Sequence, residues 1–224
     1  MITIDNQVFD FLQKLEKNND RNWFSAHKDE YQQARQNVEV FVDALIDKIV
    51  LFDNSIVGNN GKKCIFRIYR DVRFSLDKSP YKTHFGAFIT PGGKNVNMAG
   101  YYVHIQNNNS CLAAGLWCPE SNNLKKIRQE IYYAPEDLLN ILQEKSFKKE
   151  WKNLSSEGML KRPPKNYPAD FEYIELLKYK SFYADKALTN QTVCSTDFLS
   201  LCEKAFCSAK DLVKYMNYLL KLED

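Results

Sequence analysis

No apolar run in these 224 residues approaches the roughly 18 that a membrane-spanning helix needs, so a bilayer-crossing chain is not expected. The opening Met1-Ile2-Thr3-Ile4-Asp5 lacks the basic and then apolar stretches of a secretory leader. No C-x-x-C pair occurs among the six cysteines (Cys64, Cys111, Cys118, Cys194, Cys202, Cys207), and none has a histidine at zinc-ligand spacing. They read as reduced thiols of a cytoplasmic protein, with no metal or other cofactor expected. Signatures of phosphate-binding loops, dinucleotide folds, hydrolase elbows and zinc proteases are all missing. There is no internal repeat, low-complexity tract or long linker, so the whole span 1–224 reads as one domain.

An apolar fraction of 44% and a charged fraction of 26% are those of an ordinary globular chain. Val8, Phe11, Leu12 and Leu15 make one helical stripe, which the polar run Asn18-Asn19-Asp20 ends. Tyr31, Ala34, Val38, Phe41, Val42, Leu45 and Ile49 recur at helical spacing and predict a long helix from about Ser25 to Leu51. Short β-branched and aromatic segments follow at Cys64–Tyr69, Phe85–Thr90, Gly100–Gln106 and Ser110–Trp117. Turn chemistry at Pro91-Gly92-Gly93 and Asn107-Asn108-Asn109 makes them an antiparallel meander, with Ser181–Leu188 a candidate edge strand. Pro91-Gly92-Gly93-Lys94 reads as a hairpin connection and not a phosphate cradle. Trp117 is expected to anchor the corner after the last meander strand.

Helices resume at Leu124–Tyr133 and, from Pro135, through Leu142. Pro163, Pro164 and Pro168 force an extended strap over Leu160–Pro168. Ser208 and Asp211 have capping-box spacing ahead of a final helix. The expected class is therefore α+β, a central antiparallel β-meander covered by helices.

Charge is unevenly placed. Lys62 to His84 holds seven Lys/Arg against Asp71 and Asp77, a local +5, whereas the rest of the chain is −2. Arg67, Arg70 and Arg73 recur every third residue, joined by Lys78, Lys82 and the hydroxyl of Tyr81. Guanidinium forks and ammonium groups match a phosphate or carboxylate, so the expected partner is an anionic small molecule. Arg128 and Lys161 are outer candidates for the same ligand. Nucleic acid is less favoured, because reading a groove calls for a regular element. The competing reading is an internal network in which Asp71 and Asp77 neutralise the arginines. A protein or nucleic-acid docking patch is a further alternative.

An enzyme using the same oxyanion donors would need a proton carrier, and only three histidines are available. His104 is the best placed, since Tyr102 shares its strand face and Ala113-Ala114-Gly115 leaves room nearby; His84 is the other candidate. His27 lies in the helical region.

The run Arg-Ile-Tyr-Arg-Asp-Val-Arg-Phe-Ser-x-Asp-Lys-Ser-Pro-Tyr-Lys-Thr-His (Arg67 to His84) resembles the bacterial and fungal family called domain of unknown function 2461. Similar stretches are Ala99–Ile105, Ala114-Gly115-Leu116-Trp117-x-Pro119, Ile127-Arg128, Leu160–Lys165 and Asn19-x-Arg21-x-Trp23-Phe24. The resemblance covers nearly the whole chain in order. It implies one domain and brings no catalytic assignment.

Overall fold

Apolar spacing becomes packing directly in the first helices. The computed structural model describes residues 2–94 and 96–222. Helix α1 (Asn6–Lys17) buries Val8, Phe11, Leu12 and Leu15. Asp20 then caps a short α2 (Arg21–Ala26), its carboxylate accepting from Asn22 N (2.8 Å) and Trp23 N (2.9 Å). The expected continuous helix from Ser25 is interrupted at His27, whose ring stacks on Trp23 (4.1 Å) and bonds the Trp23 carbonyl oxygen (2.8 Å). Helix α3 (Lys28–Val50) comes next, with Ala34, Val38, Phe41, Val42, Leu45, Ile46 and Ile49 inward. A 3-10 turn covers Asn54–Ile56.

The fold is α+β, with a four-stranded antiparallel sheet in the order β1 (His84–Ile89), β2 (Gly100–Gln106), β3 (Ser110–Leu116) and β4 (Phe182–Leu188). The candidate edge strand is thus real and pairs with β3. Cys64–Tyr69, by contrast, is not a strand. Asn60 caps a single helical turn, α4 (Gly61–Cys64), by accepting from Lys63 N (3.0 Å). Beyond that turn the chain touches its neighbours only through isolated bridges, Ile65 to Ala87 and Tyr69 to Tyr81. Apolar alternation is present there, but the cap consumes the segment's start and the ladder never closes. In β2 the alternation holds: Tyr101, Val103 and Ile105 are buried, while Tyr102, His104 and Gln106 are half-buried on the opposite face.

Helices α5 (Ser121–Tyr133), α6 (Pro135–Gln143), α7 (Lys145–Trp151) and α8 (Ile174–Leu177) precede β4; α9 (Asn190–Val193) and α10 (Phe198–Leu219) come after it. Pro135 occupies the first turn of α6 as expected. The strap 160–168 contains neither helix nor strand. Ser208 does not start a helix; it lies inside α10, where its hydroxyl donates to the Ala205 carbonyl oxygen (2.7 Å). The apolar stripe simply continues upstream through Phe198, Cys202, Ala205 and Phe206. Trp117 is largely exposed, so the corner is held instead by Cys118 N donating to Ser181 Oγ (3.0 Å).

The chain forms two compact units, Met1–Lys94 with Tyr102–Leu112 and Ala187–Lys204, and Asn95–Tyr101 with Ala113–Lys186 and Ala205–Asp224. In the first, Phe11, Phe24, Tyr31 and Phe85 form an aromatic cluster, and Phe41 stacks on Phe198 (4.9 Å). In the second, the buried Trp151 indole donates to Ala205 O (3.1 Å) and Ser208 Oγ (3.0 Å), with Phe206 beside it. Replacing Trp151 with phenylalanine removes that donor and leaves unfilled volume, and should cost about 2 kcal/mol in a urea titration. A loss below a few tenths would show that this anchor carries no weight. Among the described residues, no helix is long and apolar enough to cross a membrane, and all six cysteines are free thiols.

Candidate functional site

The basic segment returns on itself as an irregular hairpin. Arg70 N donates to Pro80 O (2.9 Å) and Lys82 N to Ile68 O (2.7 Å), while Phe66 N donates to Gly86 O (2.9 Å) on β1. Its tip is organised by two aspartates. Asp77 accepts from the backbone (2.9 Å) and hydroxyl (2.5 Å) of Ser79 and pairs with Arg70, whose guanidinium also reaches Ser79 O (3.1 Å). These bonds, those from Ser79 first, hold the Asp77 carboxyl down at about 2. Asp71 accepts twice from Arg73 (3.0 and 2.7 Å), which lowers its pKa. Lys78 Nζ donates to Val72 O (3.0 Å). Arg70, Arg73 and Lys78 are therefore engaged within the hairpin, in line with the competing reading. Tyr81 is buried, stacked on Phe24 (4.0 Å) and tied to Asn19 through its backbone. The tip leaves Phe74 and Leu76 fully exposed.

Two of the anticipated donors are differently situated. Neither Arg67 nor Lys82 has a carboxylate partner among the described residues, and Lys94, which sequence reasoning had set aside as part of a turn, joins them. Lys82 Nζ lies 5.3 Å and Lys94 Nζ 5.8 Å from the centre of the Phe66 ring. Lys94 also donates to Ile65 O. Burial, then Arg67, then Lys94 lower the Lys82 pKa, and burial lowers that of Lys94. The positive φ of Gly92 and Gly93 (78° and 89°) forms the turn that precedes Lys94. Only that three-dimensional turn, not spacing, could have revealed this third cation.

Next to Lys82 in the chain, Thr83 and His84 lead into β1. The His84 and His104 rings face each other across β1 and β2, with centroids 4.3 Å apart. Tyr102 Oη lies 2.9 Å from His104 Nδ1, and His104 Nε2 lies 2.9 Å from Gln106 Oε1. Burial raises the Tyr102 pKa, so its hydroxyl keeps the proton. Tyr102 thus donates to Nδ1, leaving the Nε2–H of a neutral His104 to donate to Gln106. The Gln106 amide in turn donates to Thr83 Oγ1 (3.5 Å). Gly86 makes room for this array: a Cβ there would sit 2.6 Å from the Tyr102 hydroxyl.

Burial, then His104, then Lys82 push His84 down to about 4, and burial depresses His104. Both rings are neutral near pH 7. His84, half-buried and without a side-chain hydrogen bond among the described residues, has nitrogen capacity to spare. Cys64, buried and pushed up to about 11, stays a thiol. Arg128 and Lys161 belong to the second unit. Arg128 donates from Nη2 to Tyr179 O (3.0 Å), and Lys161 is exposed on the strap.

These features define an α+β protein in which a neutral imidazole pair and three cations without carboxylate partners among the described residues occur within one compact unit. The chain belongs to the family described as conserved hypothetical protein (DUF2461), whose model matches residues 7–215. No curated protein and no solved structure matches it.

Proposed function

We propose that the protein binds a small molecule bearing a phosphate or carboxylate, held by Lys82, Lys94 and Arg67 around Phe66. One observation carries this reading. Lys82 is partly desolvated among like charges, whereas Arg70 and Arg73 each have an aspartate. An incoming anion would relieve that repulsion and form charge-assisted bonds. The reduced thiols fit a cytoplasmic setting.

A panel of anionic metabolites in thermal-shift and calorimetric titrations tests the reading. At least one should raise the melting temperature, and Lys82→Met or Arg67→Met should each weaken its binding about tenfold. Arg73→Met, at a pair confined to the surface, should leave affinity within about twofold. Unaltered melting across the panel would remove the proposal. Binding confined to oligonucleotides, with a steep salt dependence, would replace it with a docking patch.

His84 supports a second reading, an enzyme acting on the same anion. A neutral imidazole with spare nitrogen capacity can take a proton once an anion held at Lys82 offsets the positive neighbour that helps depress it. His84→Gln should then abolish turnover while leaving ligand affinity nearly intact, and equal loss of both would discard the catalytic role.

A further inference from the structure

A cleft of about 470 Å³ opens in the second unit between α5 and the strap. Its volume lies within the range of small-molecule sites. Three cations line it (Lys125, Arg128 and Lys165), together with three tyrosines (Tyr132, Tyr133 and Tyr167) and, among the described residues, no carboxylate.

Arg128 is incompletely satisfied there. One of its nitrogens, Nη2, donates to Tyr179 O at 3.0 Å, while Nε is buried without a hydrogen-bond partner among the described residues. Native proteins seldom leave a buried donor on a charged group unanswered. Burial also works against its charge, and the neighbouring Tyr167 is a neutral phenol that cannot balance it. A negative group in the cleft would complete the set.

Order along α5 gives the cleft a direction. Ser121, Lys125, Arg128 and Tyr132 are spaced at steps of four, three and four residues, one stripe of the helix. Ser121 lies in the first turn, where the helix dipole favours an anion, and Lys125 and Arg128 follow one and two turns further along. The aromatic residues come at the C-terminal end. Tyr132 is packed edge-on by Tyr133 (5.7 Å, 63°) and Tyr167 (5.4 Å, 63°), and the Tyr133 ring is largely exposed. An apolar ligand would find few aliphatic walls here, and a bare anion would leave the tyrosine end empty.

We infer that this cleft binds a nucleoside monophosphate, its phosphate on Arg128, Lys125 and Lys165 and its base against the tyrosines. The site is separate from the Lys82 cluster and does not rest on it.

Calorimetric titration of the full chain with the four ribonucleoside monophosphates, their nucleosides and inorganic phosphate provides the test. At least one nucleotide should bind about tenfold or more tighter than both its nucleoside and phosphate, since each lacks half of the contacts. Lys125→Met and Tyr133→Ala, both at exposed positions that leave the Tyr179 anchor intact, should each weaken that nucleotide about five- to tenfold. Arg128→Met should weaken it further. Lys82→Met should leave it unchanged. Absence of nucleotide binding, or indifference to Lys125→Met and Tyr133→Ala, would overturn the inference. Loss of nucleotide binding in Lys82→Met alone would also overturn it, and would favour the other site. Oligonucleotides binding more than about tenfold tighter than any mononucleotide would reassign the cleft to nucleic acid.

Discussion

Acidification from pH 6.5 to 4 is expected to remove about 2 to 3 kcal/mol of folding stability, and His84→Gln to lose far less over the same window. Burial is the main reason that folded His84 protonates only near pH 4, followed by His104 and then Lys82. An unfolded histidine takes up its proton near pH 6.5. Between these values the unfolded chain binds the additional proton, so stability rises with pH through the window and falls as pH drops. Below about 4 both states are protonated and this contribution stops changing. The figure is set below the full linkage value because the ring is partly open to solvent. His104, also depressed by burial, acts in the same direction.

Asp77 contributes in a different range. Its folded carboxyl is held at about 2, so its stabilisation is present above the unfolded carboxylate value near 4 and is lost only as pH falls toward 2. The window between 6.5 and 4 is therefore weighted toward the imidazoles, with the carboxylates entering only at its lower end. Urea titrations of wild type and His84→Gln at pH 7, 5.5 and 4 make the comparison. Parallel pH profiles for the two proteins would show that His84 is not held neutral by its surroundings. An anion bound at Lys82 should reduce the acid loss, because it favours imidazolium.

Gly115→Ala should be the most damaging small substitution, at about 3 kcal/mol or more. Gly115 has φ of +127°, a region side chains rarely adopt. A Cβ there would lie 2.3 Å from Phe182 O and 2.7 Å from Tyr183 Cα. Those are backbone atoms of β4, so relief requires the two strands to separate rather than a side chain to turn. The urea midpoint of the variant reads the cost, and a loss under about 1 kcal/mol would mean that the strands adjust freely. Sequence reasoning assigned Gly115 the task of leaving room near His104; the contact it permits is with β4.

Much of the architecture was legible because it depends on near neighbours in the chain. Val8, Phe11, Leu12 and Leu15 sit at helical spacing, and Tyr101, Val103 and Ile105 alternate with polar residues, so the faces follow from 3.6-residue and two-residue periods. Where local signals competed, they misled. Asn60 captured the start of an apolar segment that otherwise reads as a strand, and Ser208 has the spacing of a cap but lies within a helix whose buried stripe runs on both sides.

Local order along the chain determined the α+β class, the principal helix and strand faces, the irregular strap and the concentration of cations between Lys62 and His84. Tertiary structure alone decided what those cations do. Arg70 meets Asp77 and Arg73 meets Asp71, while Lys94 is brought to Phe66 from a distant turn and His84 is set against His104 across two strands. Side-chain period reports burial over a few residues. The partners of a charge depend on how loops close in space, and that closure is written in no local pattern.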